Sequence, residues 1–206
     1  MNVIAIISDF MEYDLLKDLA AGICPGDDAI TNSDDRQRII SIFEVIAYIT
    51  SIFAFLFWFY RVYKNLVLAE VADLKYSPGW AIGGFFIPVA NLVIPYRVMA
   101  EVWKGSHVLS EGSPKDGWKE MKLSSRVDLW WALFIITNIV ENIAIRLTLN
   151  ADTIEGLTLS SLISIVSSVI NIPAAIVTIY LVKDISKLQD DARVGHSRSE
   201  NPADRT

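Results

Sequence analysis

The sequence predicts an all-α membrane protein with four transmembrane helices, the second interrupted by Pro and Asn, plus an N-terminal amphipathic helix. Three observations lead to this fold class. The chain of 206 residues is 52% hydrophobic with a mean hydropathy of +0.38, and its apolar residues form runs long enough to cross a hydrocarbon core of ~30 Å. Aromatic and basic residues follow the first run, as is usual at a membrane interface. Finally, one apolar segment carries an unusual number of helix-breaking residues.

This interrupted segment extends from Tyr76 to Trp103 and contains three prolines and three glycines. An interior proline removes a backbone donor and clashes with the preceding turn, so a helix in a water-soluble core would not tolerate this composition. Within a membrane, neighbouring helices, waters and side chains can satisfy the freed carbonyls. We therefore expect Gly79–Pro95, extended by the turns from Tyr96 to Trp103, to be the second span. A re-entrant segment is the alternative.

The N-terminal region, residues 1–38, is expected to contain an amphipathic helix over residues 1–24 and a linker. Apolar side chains recur at every fourth position, namely at Val3, Ile7, Met11, Leu15, Leu19 and Ile23. The other face carries Asp9, Glu12, Lys17 and Asp18. A helix on a membrane surface usually presents basic residues there. The acidic face therefore favours packing against the protein's own helices or against a second subunit.

Residues 39–182 are expected to form the four-helix transmembrane domain. The first span is Ile39–Tyr60, in which Glu44 is the one charged residue, and its helix is expected to continue to about Leu74. An interfacial aromatic belt closes the span.

The third and fourth spans are Val127 to about Leu147 and Leu157–Val182. Trp130 and Trp131 mark the start of the third span, and the fourth contains no charge. The tail, residues 183–206, is polar and is expected to be disordered.

The positions of Lys and Arg normally decide the orientation in the membrane. With four spans and a cytoplasmic N-terminus, the outside holds four of the eighteen, Arg61, Lys64, Lys75 and Arg146. With a re-entrant second segment and an external N-terminus, it again holds four, Lys17, Arg36, Arg38 and Arg146. The second arrangement would require translocation of an acidic N-terminal segment without a signal peptide. We therefore expect four spans in a bacterial inner membrane, with both termini cytoplasmic.

Prolines, glycine, tryptophan and asparagine follow one another in a specific order: Ser77-Pro78-Gly79-Trp80-Ala81, then Phe86-Ile87-Pro88, Asn91-Leu92 and Pro95-Tyr96. A second patch lies upstream: Arg61-Val62-Tyr63-Lys64-Asn65-Leu66. Over roughly residues 45–185 the chain resembles a bacterial family of multi-pass membrane proteins known only as a domain of unknown function. It departs from that family at Val93 and Ile94, where an aromatic and a basic residue are frequent. The resemblance implies a four-helix membrane domain and brings no activity, substrate or catalytic residue.

Polar residues inside the predicted spans are the main candidates for function. Asn138, Glu141 and Asn142 share one face of the third span at i, i+3 and i+4, and a carboxylate within a span is costly and often functional. The other members of the predicted pore or polar core are Asn91 in the second segment and Ser164 and Asn171 in the fourth span. The alternative is a structural cluster in which small polar residues let helices pack closely.

The loop of residues 104–126 contains a second candidate site. Four basic residues could bind an anionic ligand there, namely Lys115, Lys119, Lys122 and Arg126. The alternative is a solvated loop that only sets topology.

Composition limits the remaining functions. The net charge of −6 argues against duplex nucleic acid as a partner. A single cysteine, Cys24, and two histidines make a metal site unexpected. The sequence lacks a nucleophile–base pair and a Gly-rich phosphate loop, so we expect neither an enzyme nor a cofactor.

The interpretation that follows is a homo-oligomeric ion pathway in the lipid bilayer, formed or gated by this chain and switched by a ligand. A closed tetramer is the expected assembly, because the polar groups in the spans exceed what one small bundle can satisfy. The alternative is a non-conducting membrane scaffold or partner-binding subunit.

Overall fold

The computed structural model describes residues 2–23, 26–150 and 152–200, and this part of the chain contains helices and no strand. Six α-helices follow one another: α1 (Asn2–Ala20), α2 (Asp27–Leu68), α3 (Pro78–Gly83), α4 (Ile94–Glu111), α5 (Ser125–Leu149) and α6 (Ile154–Glu200). Short 3-10 turns occur at Ala90–Leu92 and Gly117–Lys119. The all-α fold class is confirmed over these residues. The helix predicted over residues 1–24 ends at Ala20, and Cys24 and Pro25 lie outside the described residues.

Three helices, and not the predicted four, are long and apolar enough to cross a membrane. They are α2, α5 and α6, whose candidate segments are Ile30–Leu68, Ser125–Leu149 and Ile154–Gly195. The prediction that Gly79–Pro95 is a span is wrong.

The interrupted segment fails as a span because its breaking residues end one helix and begin another. Pro78 opens α3, where a missing N–H costs nothing, and α3 ends after six residues. Val89 has φ 68°, a conformation that a β-branched residue rarely adopts. The chain then makes a 3-10 turn, and Pro95 lies in the first turn of α4. The backbone therefore changes direction where a span needs a continuous helix.

Two other predicted boundaries also differ. The first long helix ends at Leu68 and not near Leu74, because Glu70 and Asp73 adopt positive φ values of 57° and 56° that turn the chain. The tail expected to be disordered from residue 183 is helical as far as Glu200. Ile185 is fully buried in an apolar core, which holds the tail in place. Residues 201–206 lie outside the described part.

The chain divides into two compact units. Unit 1 comprises Met1–Ile52 and Ala132–Ile176, and unit 2 comprises Phe53–Trp131 and Val177–Thr206.

Unit 2 has a continuous apolar core to which α2, α3, α4, α5, α6 and the loops between them contribute. The Phe55 ring lies within about 6 Å of Phe59, Phe85 and Trp130, in stacked, edge-on and tilted contacts. The buried members of the core are Phe59, Val62, Tyr63, Leu66, Val71, Ala81, Val98, Met99, Val102, Val108, Trp118, Val127, Trp130, Leu181 and Ile185.

Unit 1 is packed differently. Its buried residues are small: Ser8, Ser33, Ala144, Ser160, Ser161 and Ser167. Large apolar side chains point outward along its helices, including Ile39, Phe43 and Ile46 of α2 and Ile139 of α5. Small polar contacts inside and apolar side chains outside are typical of helices that pack within lipid.

The N-terminal helix α1 packs against the protein's own α2, which is one of the two expected arrangements, and it does so through its polar face. Gln37 of α2 donates to Asp9 and Glu12, and Arg36 Nε donates to Ser8 Oγ at 3.1 Å. Burial raises the pKa of Asp9 and Glu12, an effect that the Gln37 hydrogen bonds oppose. The apolar side chains of Ile4, Ile7, Phe10 and Met11 are 50–59% exposed.

Candidate functional site

A carboxylate of α5 is the centre of the polar cluster in unit 1. Glu141 Oε1 accepts hydrogen bonds from Ser167 Oγ at 2.6 Å and from Asn171 Nδ2 at 2.8 Å, both on α6. Glu44 of α2 interacts electrostatically with Glu141. The three hydrogen-bonded side chains, Glu141 of α5 and Ser167 and Asn171 of α6, are hereafter the Glu141 cluster.

The structure brings together only some of the residues singled out in the sequence. Asn138 and Asn142 are exposed, and each donates to a carbonyl of its own helix, Phe134 O at 2.7 Å and Asn138 O at 2.8 Å. Ser164 is partly buried on α6. Ser167 lies on the polar face of the fourth span that the sequence indicates, because its i, i+4 spacing to Asn171 places both on one helix face.

Asn91 belongs to unit 2 and not to the Glu141 cluster. It lies in the 3-10 turn before α4. Its buried Oδ1 is the one buried side-chain polar atom without a hydrogen-bond partner in the part of the chain that the structure describes.

Unit 2 contains a cleft of about 360 Å³ with a basic lining. That volume is within the range of small-ligand sites. Arg97, Ala100, Glu101 and Lys104 contribute one face of α4 at i, i+3, i+4 and i+7. The other lining residues are Lys75, Tyr76, Tyr96 and Trp118. We call this feature the basic cleft.

A buried hydrogen-bond network fixes one wall of the basic cleft. Glu101 is 6% exposed, and it accepts hydrogen bonds from the Tyr63 hydroxyl at 2.7 Å and from the backbone N–H of Lys75 at 3.2 Å. The Tyr63 hydroxyl also contacts Tyr76, 2.8 Å from its carbonyl oxygen and 3.0 Å from its backbone nitrogen. The segment that carries Lys75 and Tyr76 is therefore attached to α2 and α4.

Two aromatic residues of the lining are also held by contacts within the protein. Trp118 Nε1 donates to Ala72 O at 2.7 Å. The Tyr96 hydroxyl donates to Asp128 Oδ1 at 2.7 Å, and its ring contacts Trp131 at a centroid distance of 6.1 Å. The hydrogen bond to the Asp128 carboxylate, with some burial, raises the pKa of Tyr96.

Burial raises the pKa of Glu101, while the hydrogen bonds from Tyr63 and from the backbone of Lys75 and Tyr76 act in the opposite direction. The net rise favours the protonated form of this carboxyl group.

The basic loop selected in the sequence does not form one site. Lys119 Nζ pairs with Asp73 Oδ2 at 2.6 Å, and Arg126 pairs with Asp184. Lys115 and Lys122 are exposed. The cations of the basic cleft were missed because Lys75 and α4 are separated along the chain. The spacing of Arg97 and Lys104, two helical turns apart, was the one signal available in the sequence.

In the described residues, no group of three or more His, Cys, Asp or Glu side chains is arranged to hold a metal ion.

A family model described as "Domain of unknown function (DUF4328)" matches residues 25–187. The match covers most of the chain, so the chain belongs to the DUF4328 family, and the family resemblance inferred from the sequence is confirmed. Neither a curated protein nor a solved structure matches the chain.

Proposed function

We propose that this protein is a homo-oligomeric membrane protein in which the Glu141 cluster forms part of a cation pathway. The observation that carries the proposal is the carboxylate of Glu141 on an apolar helix, held by Ser167 and Asn171 of the next helix. An ionisable group within a span is costly and usually marks an ion or proton route. The acidic residue Glu44 adds to the local negative field and favours a cation over an anion.

Oligomerisation is supported by polar groups that a single copy leaves at its surface. Asn138 and Asn142 are exposed on α5, and polar side chains facing hydrocarbon are costly. A second copy would supply partners or would enclose water that does. Because a closed ring satisfies every copy equally, we propose a symmetric assembly, with four copies as the working number.

We also propose an external N-terminus and a cytoplasmic C-terminus in a bacterial inner membrane. Three spans put the two termini on opposite sides, so the expectation of two cytoplasmic termini does not carry over from the four-span arrangement. An external N-terminus leaves four of the eighteen Lys and Arg residues outside, at Lys17, Arg36, Arg38 and Arg146. The reverse orientation would leave the other fourteen outside, against the usual distribution. Cysteine labelling at residue 69, in a Cys24→Ser background, tests this: protection from an impermeant external reagent is expected.

Conductance of the purified full chain in planar bilayers tests the cation pathway. We expect cation-selective current, with Glu141→Gln lowering it at least tenfold. Glu155→Gln is the matched control, because it makes the same chemical change at an exposed residue at the start of α6, and it is expected to conduct normally. Absence of current in the wild type, or equal current in wild type and Glu141→Gln, would overturn the proposal.

The second candidate function is a scaffold, and the exposed apolar face of α1 favours it. Ile4, Ile7, Phe10 and Met11 offer a contact surface to another protein. Deletion of residues 1–24 would then abolish capture of a bound partner while membrane insertion continues. If the deletion changes self-association alone, the scaffold function is rejected.

A further inference from the structure

The basic cleft of unit 2 supports an inference that is independent of the cation pathway. Three cationic side chains, Lys75, Arg97 and Lys104, line one cleft of about 360 Å³. The ion pairs in the described residues join Lys119 with Asp73 and Arg126 with Asp184, and they leave these three cations out. Lys104 Nζ donates to the neutral Lys119 carbonyl at 3.4 Å.

The one carboxylate in the lining, Glu101, interacts electrostatically with Lys75 and can balance only one of the three cations. Glu101 is 6% exposed, and its two oxygens accept hydrogen bonds from Tyr63 and from the backbone of Lys75. Like charges that share a cleft repel one another, and a bound anion removes that repulsion. The cleft is thus electrostatically complementary to an anion.

Part of the cleft is pre-organised, because several of its lining residues are held by hydrogen bonds within the protein. Glu101 and Tyr63 hold the Lys75–Tyr76 segment, and Trp118 is anchored to Ala72. A rigid site loses little conformational entropy on binding.

We propose that the basic cleft binds a ligand that carries a phosphate group, with Arg97, Lys104 and Lys75 contacting the phosphate oxygens. Arginine donates in a planar fork that matches two phosphate oxygens, and lysine adds a compact charge. The aromatic side chains of Tyr76, Tyr96 and Trp118 provide apolar surface for the rest of the ligand.

The same chemistry has two sources, a soluble phosphate compound and an anionic lipid headgroup. Tyr96 lines the cleft and contacts Trp131 near the start of α5, one of the candidate spans. Basic pockets beside spans are known to accept phospholipid headgroups. The experiment therefore uses one probe from each source.

The test measures binding of inorganic pyrophosphate by titration calorimetry and of phosphatidylglycerol by native mass spectrometry, both with the full chain in neutral detergent. We expect saturable binding of at least one probe. Pyrophosphate alone identifies a soluble ligand, phosphatidylglycerol alone identifies a lipid, and binding of both with mutual competition identifies one site for either.

Matched variants assign the binding to the cleft. Arg97→Gln with Lys104→Gln is expected to weaken binding at least tenfold. Lys115→Gln with Lys122→Gln removes the same charge from exposed residues of the neighbouring loop and is expected to change the affinity less than twofold. If the Arg97→Gln, Lys104→Gln variant does not fold, Lys75→Gln is used in its place, because Lys75 is exposed and its replacement does not disturb a core. This variant is expected to weaken binding several-fold.

Three outcomes would overturn the proposal. They are no saturable binding of either probe, wild-type affinity in the cleft variants, and equal losses in the cleft pair and the loop pair, which would indicate non-specific attraction.

Discussion

The two units of this protein bury different kinds of side chain. In unit 2 the core is made of large apolar residues such as Phe59, Leu66 and Met99, all fully buried. In unit 1, within the described residues, Ala144 is the one buried hydrophobic residue, and the others are serines. The two units therefore differ in how they are stabilised, although α2, α5 and α6 contribute to both.

The difference corresponds to the one between lipid and water as solvents. Water drives large apolar side chains into a core, as in unit 2. Lipid provides no such force, so helices surrounded by it associate through close packing of small residues and through hydrogen bonds. Unit 1, with its apolar side chains outside, is suited to lipid, and the core of unit 2 is of the kind that folds in water.

The largest expected effect comes from the core of unit 2. Phe59→Ala should lower the free energy of unfolding by about 3–5 kcal/mol, because it removes a buried ring and leaves a cavity. Phe57→Ala, on the same helix, is the control, since Phe57 is 68% exposed. Denaturant titration in mild detergent measures both. If both variants lose the same free energy of unfolding, unit 2 is not stabilised by its buried apolar core as described.

A smaller effect is expected at two adjacent glycines. A Cβ at Gly84 would lie 2.7 Å from Ile94 Cγ2 and 3.1 Å from the Trp80 carbonyl oxygen, whereas one at Gly83 meets nothing within 4 Å. Gly84→Ala should therefore cost about 1–3 kcal/mol through overpacking. Gly83→Ala should be neutral or slightly stabilising, because alanine favours a helix. A tolerated Gly84→Ala, measured by thermal unfolding, would show that α3 and α4 are loosely packed.

Each unit contains a hydroxyl group that donates a hydrogen bond to a carboxylate, and removing that hydroxyl compares the two units directly. Tyr63→Phe removes the hydroxyl that donates to buried Glu101 in unit 2, and should cost about 1–3 kcal/mol. Ser167→Ala removes the corresponding bond to Glu141 in unit 1, and should cost only about 0.6 kcal/mol, the average for hydrogen bonds between spans. A reversed order of the two losses would refute the distinction between the units.

The smallest effect is a pH dependence located in unit 2. Burial raises the pKa of Glu101 above its ordinary value of 4.5, so the folded state holds this proton more tightly than the unfolded state does. The stability from this group is fully present below about pH 4.5 and is lost as the pH rises through the folded-state pKa. Glu101→Gln should flatten this part of the profile when unfolding is followed from acidic to neutral pH. An unchanged profile would exclude Glu101 as its source.

The sequence alone predicted the family, the all-helical class and, among its four predicted spans, the three that are helices long enough to span a membrane. These properties depend on contiguous residues, because a span needs an uninterrupted run of apolar side chains whose backbone bonds are satisfied within one helix. It also placed Glu141 and Asn171 in one predicted polar core, because polar residues within apolar spans are few.

Tertiary structure alone decided the features that depend on distant residues. The packing around Pro88 and Pro95 decides whether they interrupt a span or separate two helices. Here Gly84, next to α3, lies close to Ile94 of α4. Two contacts explain the helical tail. Ile185 is buried in the core of unit 2, and Gln189 Nε2 donates to the Val62 carbonyl oxygen. The basic cleft joins Lys75 to α4 through Glu101 and Tyr63. Local patterns do not encode such pairings, because their energy comes from burial that exists only after the chain has folded.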